Sequence, residues 1–301
     1  MAISQITQGS LANTISIATN RVINGSMAID QRNGGSAQTI TAAAALAYTA
    51  DRWYAYCTGA NVTGQRVAGI GTNQYMYRFS GASSVTAVGF GQRIEQLNSF
   101  DMANTTVTLS ADLQNSLLTT VTWTAYYANT ADTFGSLASP TRTQIANGTF
   151  IVSNTPARYS ASINIPATAN TGLEIVLSVG AQTSGYWNIG AVQLESGGIA
   201  TPIEKRLYGN ELVLCQRYYQ TVNVNAYAVN SNFGAFNPDY YYPVSLPVAA
   251  RTTPTITRTN VTDSSVTSGI VSAAVSGFSV IMELTASAGQ STFTAVASAE
   301  L

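Results

Sequence analysis

Between residues 106 and 179 the chain keeps returning to a side-chain period of two. Val107, Leu109, Ala111 and Leu113 alternate with Thr106, Thr108 and Ser110, and Val121, Trp123, Ala125 and Tyr127 alternate with Thr122, Thr124 and Tyr126. Tyr159, Ala161, Ile163 and Ile165, then Leu173, Ile175, Leu177 and Val179, repeat the pattern. Such runs are strands with one apolar and one polar face. Tyr75 to Phe79, Val85 to Glu95, and the run carrying Trp53, Ala55 and Cys57 add further strands at steady spacing. Strands almost throughout, parted by turn residues, indicate an antiparallel sandwich and favour a jelly roll over any α/β fold. Trp53 falls on the apolar face of its strand and reads as core, with sugar stacking as the sharper alternative.

Composition narrows the chemistry. Charged residues are 9% of the 301, against a usual value of about 25%. Hydrophobic residues are 46% and the net charge is −1, which is not the signature of disorder. No basic stripe is present, so nucleic acid is not an expected partner. No apolar run reaches the length of a membrane span, and the opening MAISQITQGS does not read as a secretory signal. The chain has no histidine, and Lys205 is its single lysine. His-assisted nucleophiles and the commonest metal ligand are thereby removed, and no cofactor or metal is expected. Paired carboxylates are the remaining enzymatic option, because glycoside hydrolysis needs two acids at a suitable distance. Asp101, Asp112, Asp132 and Glu174 are scattered for that purpose, and the expectation is a protein that is not an enzyme. Cys57 and Cys215 stand in no metal-like spacing; they read either as buried free thiols or as a disulfide that geometry alone decides.

The stretch from Tyr186 to Tyr219, YWNIGAVQLESGGIATPIEKRLYGNELVLCQRYY, marks a transition. Trp187 and Ile189 share one strand face while Val192 and Leu194 fall out of phase with them, which predicts a β-bulge near Gly190. Gly197 and Gly198 end the strand, and Pro202 keeps Thr201 extended. A short helix follows, with Asn210 expected as its N-cap, Glu211 at its positive end, and Leu212, Cys215 and Tyr219 on one face.

These residues carry a resemblance. Gly190, Gln193, Leu194, Glu195, Gly197, Ala200, Thr201, Pro202, Glu204 and Arg206, followed by Glu211, Leu212, Cys215, Gln216, Arg217, Tyr218 and Tyr219, resemble the end of a jelly-roll module of tailed-phage virion proteins. That module is similar to carbohydrate-binding modules. Tyr48-Thr49-Ala50-Asp51-Arg52-Trp53 and Gln92-Arg93-Ile94-Glu95 resemble two more of its motifs, and Arg21 to Arg32 resembles its opening strand. The resemblance covers roughly Arg21 to Tyr219. Asp51, Glu95, Glu195 and Glu204 fall inside these motifs and read as structural. Asp51 and Arg52 are placed on opposite strand faces, each fixing a local loop.

The expected fold is therefore all-β: an antiparallel jelly-roll sandwich, then a short helix and a smaller C-terminal β domain. The expected boundaries are an anchoring arm over residues 1–20, the jelly roll over 21–206, a linker helix over 207–222 and the small domain over 223–301. The arm reads either as an attachment to a neighbour in a particle or as a frayed end. The polar loop from Ala128 to Gly148, with Phe134 and Arg142, reads equally as an interface loop or a solvated connector. Tyr240, Tyr241 and Tyr242 are the densest aromatic run and the candidate binding residues, for intersubunit packing or for glycan contact. The resemblance implies a homotrimer located in the virion, bound to other virion proteins of the tail or capsid and to a host-surface glycan. The function it implies is that of a tail-fibre-like, receptor-binding component. A capsid-decorating or head-fibre protein is the alternative, and a polysaccharide depolymerase is the least favoured.

Overall fold

A computed structural model describes residues 20–43, 45–232, 234 and 238–301. The arm expected over residues 1–20 lies, but for Asn20, outside them. The chain divides into two compact units: residues 20–28, 35–48 and 53–206 in the first, and residues 29–34, 49–52 and 207–301 in the second. Two short segments of the N-terminal stretch, Ile29–Gly34 and Thr49–Arg52, thus belong with the C-terminal unit.

The first unit contains β1 (Gln38–Ile40), β2 (Ala47–Tyr48), β3 (Tyr54–Thr58), β4 (Val62–Ala68), β5 (Tyr75–Ser80) and β6 (Ala87–Ile94). A one-turn helix, α1 (Gln96–Ser99), leads to β7 (Thr106–Asn115), β8 (Thr120–Ala128), β9 (Arg142–Ile151), β10 (Ala157–Asn164), β11 (Leu173–Val179) and β12 (Tyr186–Ser196). They form two six-stranded antiparallel sheets, ordered β1-β4-β5-β12-β7-β10 and β2-β3-β6-β11-β8-β9. This is the all-β, jelly-roll-like sandwich that the alternating runs predict. An aromatic spine joins the sheets. Trp53 stacks on Phe90 at 4.6 Å, Phe90 on Tyr77 at 5.1 Å, and Phe79 on Trp187 at 5.5 Å between ring centroids. Trp53 is fully buried and donates its indole N–H to the Asn24 carbonyl, so it is core.

The bulge expected near Gly190 is present. The β12–β7 register shifts between Gly190 and Gln193, and Ala191 takes a φ of 46°. The slip brings Leu194 opposite Leu109 on the apolar side. It also frees Val192 to pair elsewhere: its N–H donates to Gly25 O. Gly25 has to be a glycine, because a β-carbon there would stand 2.0 Å from the Val192 carbonyl oxygen.

Several expectations are corrected. Arg21 to Arg32 is not a regular strand; it is a chain of turns, with Asn24 and Met27 at positive φ. The side-chain amide of Gln92 substitutes for a neighbouring strand there, accepting from Ile23 N and donating to Ile23 O. The polar faces that alternation gives β7 and β12 are covered: Thr108, Ser110, Asn188, Gln193 and Glu195 are buried. The segment after β12 folds back over them. Thr108 donates to Gly197 O, Gln193 accepts from Glu204 N, and Glu195 accepts from both the N–H and the hydroxyl of Thr201. Glu204 in turn accepts from Asn20 N, and Arg206 donates to the Val22 carbonyl. The polar residues between Gln193 and Arg206 are therefore a set of hydrogen bonds that fastens the connector and the chain at residues 20–22 onto the sheet.

In the second unit α2 (Tyr208–Gln216) precedes β13 (Tyr219–Val229), β14 (Tyr240–Ser245), β15 (Thr255–Ser264), β16 (Val266–Ala274), β17 (Gly277–Leu284) and β18 (Ala288–Ser298). Two three-stranded sheets, β13-β18-β15 and β14-β17-β16, share a core containing Val224, Phe278, Val280, Met282 and Phe293. The helix starts three residues earlier than the Asn210 cap implies. Leu207 is its N-cap, with no side-chain cap, because Glu211 N–H already reaches Leu207 O and draws Asn210 into the first turn. Glu211 and Cys215 are its buried residues, and Tyr219 opens β13.

Arg52 and Asp51 sit in a turn of this unit and not on a strand, Arg52 at φ 72°. Their partners are distant in sequence. Arg52 lies over the Tyr218 ring at 3.4 Å and is ion-paired to Glu300, which also holds Arg32 at 2.8 Å. Asp51 accepts from Gln31 N at 2.8 Å and from the Gln31 side chain. Cys57 and Cys215 are both free and buried.

Candidate functional site

Sheet β2-β3-β6-β11-β8-β9 turns one face to the core and the other outward, and the outward face is where ring and cation chemistry collect. Since Phe90 points inward, the outward residues of β6 are Gly89, Gly91 and Arg93. Register places Tyr56 beside Gly89, Tyr54 beside Gly91, and Glu174 beside both Arg93 and Tyr126. Two glycines in the middle strand make a trough, and the β3 tyrosines lie down in it. A β-carbon at residue 89 would stand 2.2 Å from the Tyr56 ring, and one at residue 91 would stand 2.4 Å from the Tyr54 hydroxyl.

The two tyrosines then differ. Tyr54 is buried and donates to Glu174 Oε1 at 2.6 Å. Burial, reinforced by the Glu174 charge, pushes its hydroxyl well above the ordinary tyrosine range. Tyr56 is half-buried and belongs to the lining of an open cleft of about 490 Å³, with Ala43, Ala45, Thr58 and the Ser136–Ala138 segment. Its hydroxyl has no hydrogen-bond partner among the described residues. Burial raises its pKa, with Arg142 opposing and Tyr126 and Glu174 adding to the shift, which places those groups beside it.

Arg142 opens β9, where it pairs with Glu174 Oε2 and lies over the Tyr126 ring at 4.1 Å. Burial disfavours its charge, but Glu174 outweighs that and holds the guanidinium above its ordinary pKa. Glu174 is wholly buried and is shared with Arg93, whose Nε donates at 2.9 Å. Arg93 also donates to Gly135 O at 2.8 Å and lies over the Phe134 ring at 5.3 Å. Phe134, 2% exposed, thus pins the loop that carries Ser136–Ala138 to the edge of the cleft. That loop is shorter than the expected Ala128–Gly148, because β9 already starts at Arg142.

Of the carboxylates named from the sequence, Asp112 is engaged with Arg158 and Asn73, Asp101 with Arg21, Asp132 with Gln96 N, and Glu195 and Glu204 with the connector. Among the described residues no group of three or more His, Cys, Asp or Glu is placed to hold a metal ion. No helix among the described residues is long and apolar enough to cross a membrane.

The sequence reasoning selected Tyr240, Tyr241 and Tyr242, which lie on edge strand β14 of the second unit. Tyr240 packs against that unit's core and donates to Val229 O at 3.0 Å, while Tyr241 and Tyr242 are 60% and 42% exposed. Tyr56 and Tyr126 were missed. The alternation of Trp53, Ala55 and Cys57 already turns Tyr56 outward, and Tyr126 stands among the polar partners of Trp123. The signal that points to Tyr56 is the pair Gly89 and Gly91 on the neighbouring strand; Tyr126, whose register partners are Glu174 and Gln144, has no such signal.

No protein-family model and no curated protein matches the chain. Among solved structures it is similar to the enzymatically active domain of tailspike protein 4 of bacteriophage CBA120, at 19% identity and a TM-score of 0.38, over 60% of this chain and 22% of that one. The chain therefore spans less than a quarter of that domain. It is also similar to a CBM4 module, at 13% identity and a TM-score of 0.37, over 58% of this chain and 98% of that one. A putative sugar binding protein from Bacteroides thetaiotaomicron is similar at 12% identity and a TM-score of 0.37, over 59% and 100%. Likeness of this depth decides nothing about ligand or activity.

Proposed function

We propose that this protein is a glycan-binding structural component of a tailed-phage virion, receptor-binding in the manner of a tail fibre and without bond-breaking activity. The observation that carries the glycan reading is the half-buried Tyr56 ring laid over Gly89 at an open cleft, its hydroxyl and that of the neighbouring Tyr126 having no hydrogen-bond partner among the described residues. A ring face held in place stacks on the C–H-rich face of a sugar, and unbonded polar groups at its rim take up hydroxyls. All three tryptophans, Trp53, Trp123 and Trp187, are core residues, so tyrosine is the aromatic available for this role. The virion placement rests on the motif resemblance from Arg21 to Tyr219. Assembly as a homotrimer is part of the proposal; the exposed Tyr241 and Tyr242 on an edge strand supply an unfilled contact surface for it.

Isothermal titration of the purified chain with host-surface polysaccharide tests the reading. Saturable binding is expected, weakened about tenfold or more by Tyr56→Ala. Equal binding by wild type and variant would remove this cleft from the account, and released oligosaccharide would overturn the binding-only role.

A further inference from the structure

Beside Tyr56, next to the cleft, stands a charged cluster. Glu174 is already engaged by three donors, Tyr54, Arg93 and Arg142. Arg93 is spent on Glu174 and the Gly135 carbonyl. Arg142 is different: it uses Nη1 on Glu174, and its Nε and Nη2 have no acceptor among the described residues. A guanidinium offers five donors in a planar fork, and a carboxylate fits two of them side by side. The lining itself, from Ala43 and Ala45 to Ser136, Leu137 and Ala138, contributes no carboxylate to answer that fork. Two hydroxyls, of Tyr56 and Tyr126, stand beside it with their protons unassigned to any partner.

We infer that the saccharide taken by this cleft is acidic, a carboxylated sugar such as a uronate, with Arg142 binding its carboxylate while Tyr56 carries its ring. This rests on the glycan reading above and narrows it. The Tyr126 ring under Arg142 fixes the plane of the fork, and the Tyr126 and Tyr56 hydroxyls donate to the carboxylate or to its neighbouring sugar hydroxyls. Because the guanidinium is partly desolvated, its attraction for an anion is screened by salt less than that of a surface arginine.

The experiment uses the full chain and two sets of probes in affinity electrophoresis and titration calorimetry. One set is acidic (alginate, polygalacturonate and hyaluronan), and each polymer is also used after reduction of its carboxyl groups to alcohols. The other set is neutral (xylan, mixed-linkage β-glucan and galactan). The expected result is retention by at least one acidic polymer and a loss of about tenfold or more on carboxyl reduction, with a similar loss in Arg142→Gln. Tyr126→Phe, which leaves the ring and the fold in place, is expected to weaken binding by a few-fold. The carboxyl-reduced polymers keep the test independent of how well Arg142→Gln folds. Binding to neutral polymers that is indifferent to Arg142→Gln would overturn the acidic assignment and leave the glycan reading standing. Retention by no polymer of either set would overturn the glycan reading, and the assignment with it.

Discussion

The ring of Tyr56 lies across Gly89 so closely that a β-carbon on residue 89 would stand 2.2 Å from the ring's hydroxyl-bearing carbon. The glycine is what allows the ring to lie down on the sheet, and a ring lying down is what makes the cleft a platform. Gly89→Ala should therefore swing the Tyr56 side chain off its seat. The clash is with the far end of a flexible side chain, so the stability cost is expected to stay below about 1 kcal/mol. Glycan affinity should fall about tenfold or more. Urea denaturation and calorimetry on the same sample separate the two effects.

The second unit contains a buried ionic knot whose removal should be costly. The Arg52 side chain is 1% exposed and that of Glu300 is 6% exposed, so neither charge can turn to water when its partner is lost. Glu300→Gln is expected to destabilise by about 3–5 kcal/mol, the usual consequence of stranding one half of a buried ion pair. Arg32 shares Glu300 and should lose its anchor as well. A fall in the thermal midpoint of less than about 2 °C would contradict the assignment.

Asp51 gives the same unit a pH dependence of definite sign. Burial raises its pKa from 3.8 to about 6, against the opposing hydrogen bonds from Gln31. The folded state thus holds its proton more tightly than the unfolded chain does. The contribution to stability is complete below pH 4 and is lost as pH rises through 6, an effect of about 3 kcal/mol. Asp51→Asn keeps a neutral group at all pH values. The difference in unfolding free energy between variant and wild type should therefore grow in the variant's favour from pH 4 to pH 7 and be flat above that. A difference independent of pH would contradict the raised pKa.

If trimer assembly uses the β14 edge, the double variant Tyr241→Ser, Tyr242→Ser should move the protein from trimer toward monomer at micromolar concentration in light scattering. Phe278 and Val280 hold β17 beneath β14, so the folded content of the unit should survive. A monomeric wild type would count against the trimer itself.

How much of this was legible in the sequence depended on what each strand faces. β7, β8, β10 and β11 declare themselves because Leu109, Trp123, Ile163 and Leu177 each mark a face pressed into the core. β9 was read as loop because it is an edge strand. Of its ten residues, Phe150 alone is buried, so burial imposes almost no period on it. The bulge near Gly190 was visible as a slip of phase, but its use was not: that Val192 would pair with Gly25 is a tertiary fact. Arg21 to Arg32 was misread because a side-chain amide, Gln92, can do the work of a neighbouring strand without leaving any alternation behind. The turn holding Asp51 and Arg52 was taken for strand because nothing local requires Arg52 at positive φ; its partner is Glu300.

The candidate site followed the same division. Tyr240, Tyr241 and Tyr242 stood out by density alone. Tyr56, Tyr126 and Arg142 come from three different strands: register sets Tyr56 beside Gly89 and Tyr126 beside Glu174, and the Glu174 ion pair brings in Arg142. A glycine in a strand signals close approach by something, but it does not say by what.

The most direct measurement of the central claim is residue-level mapping of the bound saccharide by backbone NMR shifts, using a polysaccharide fragment that titrates to saturation. The largest perturbations are expected at Tyr56, Gly89, Tyr126, Arg142 and Ser136–Ala138. Perturbations centred instead on Tyr240–Tyr242, with the Gly89 amide unmoved, would contradict it.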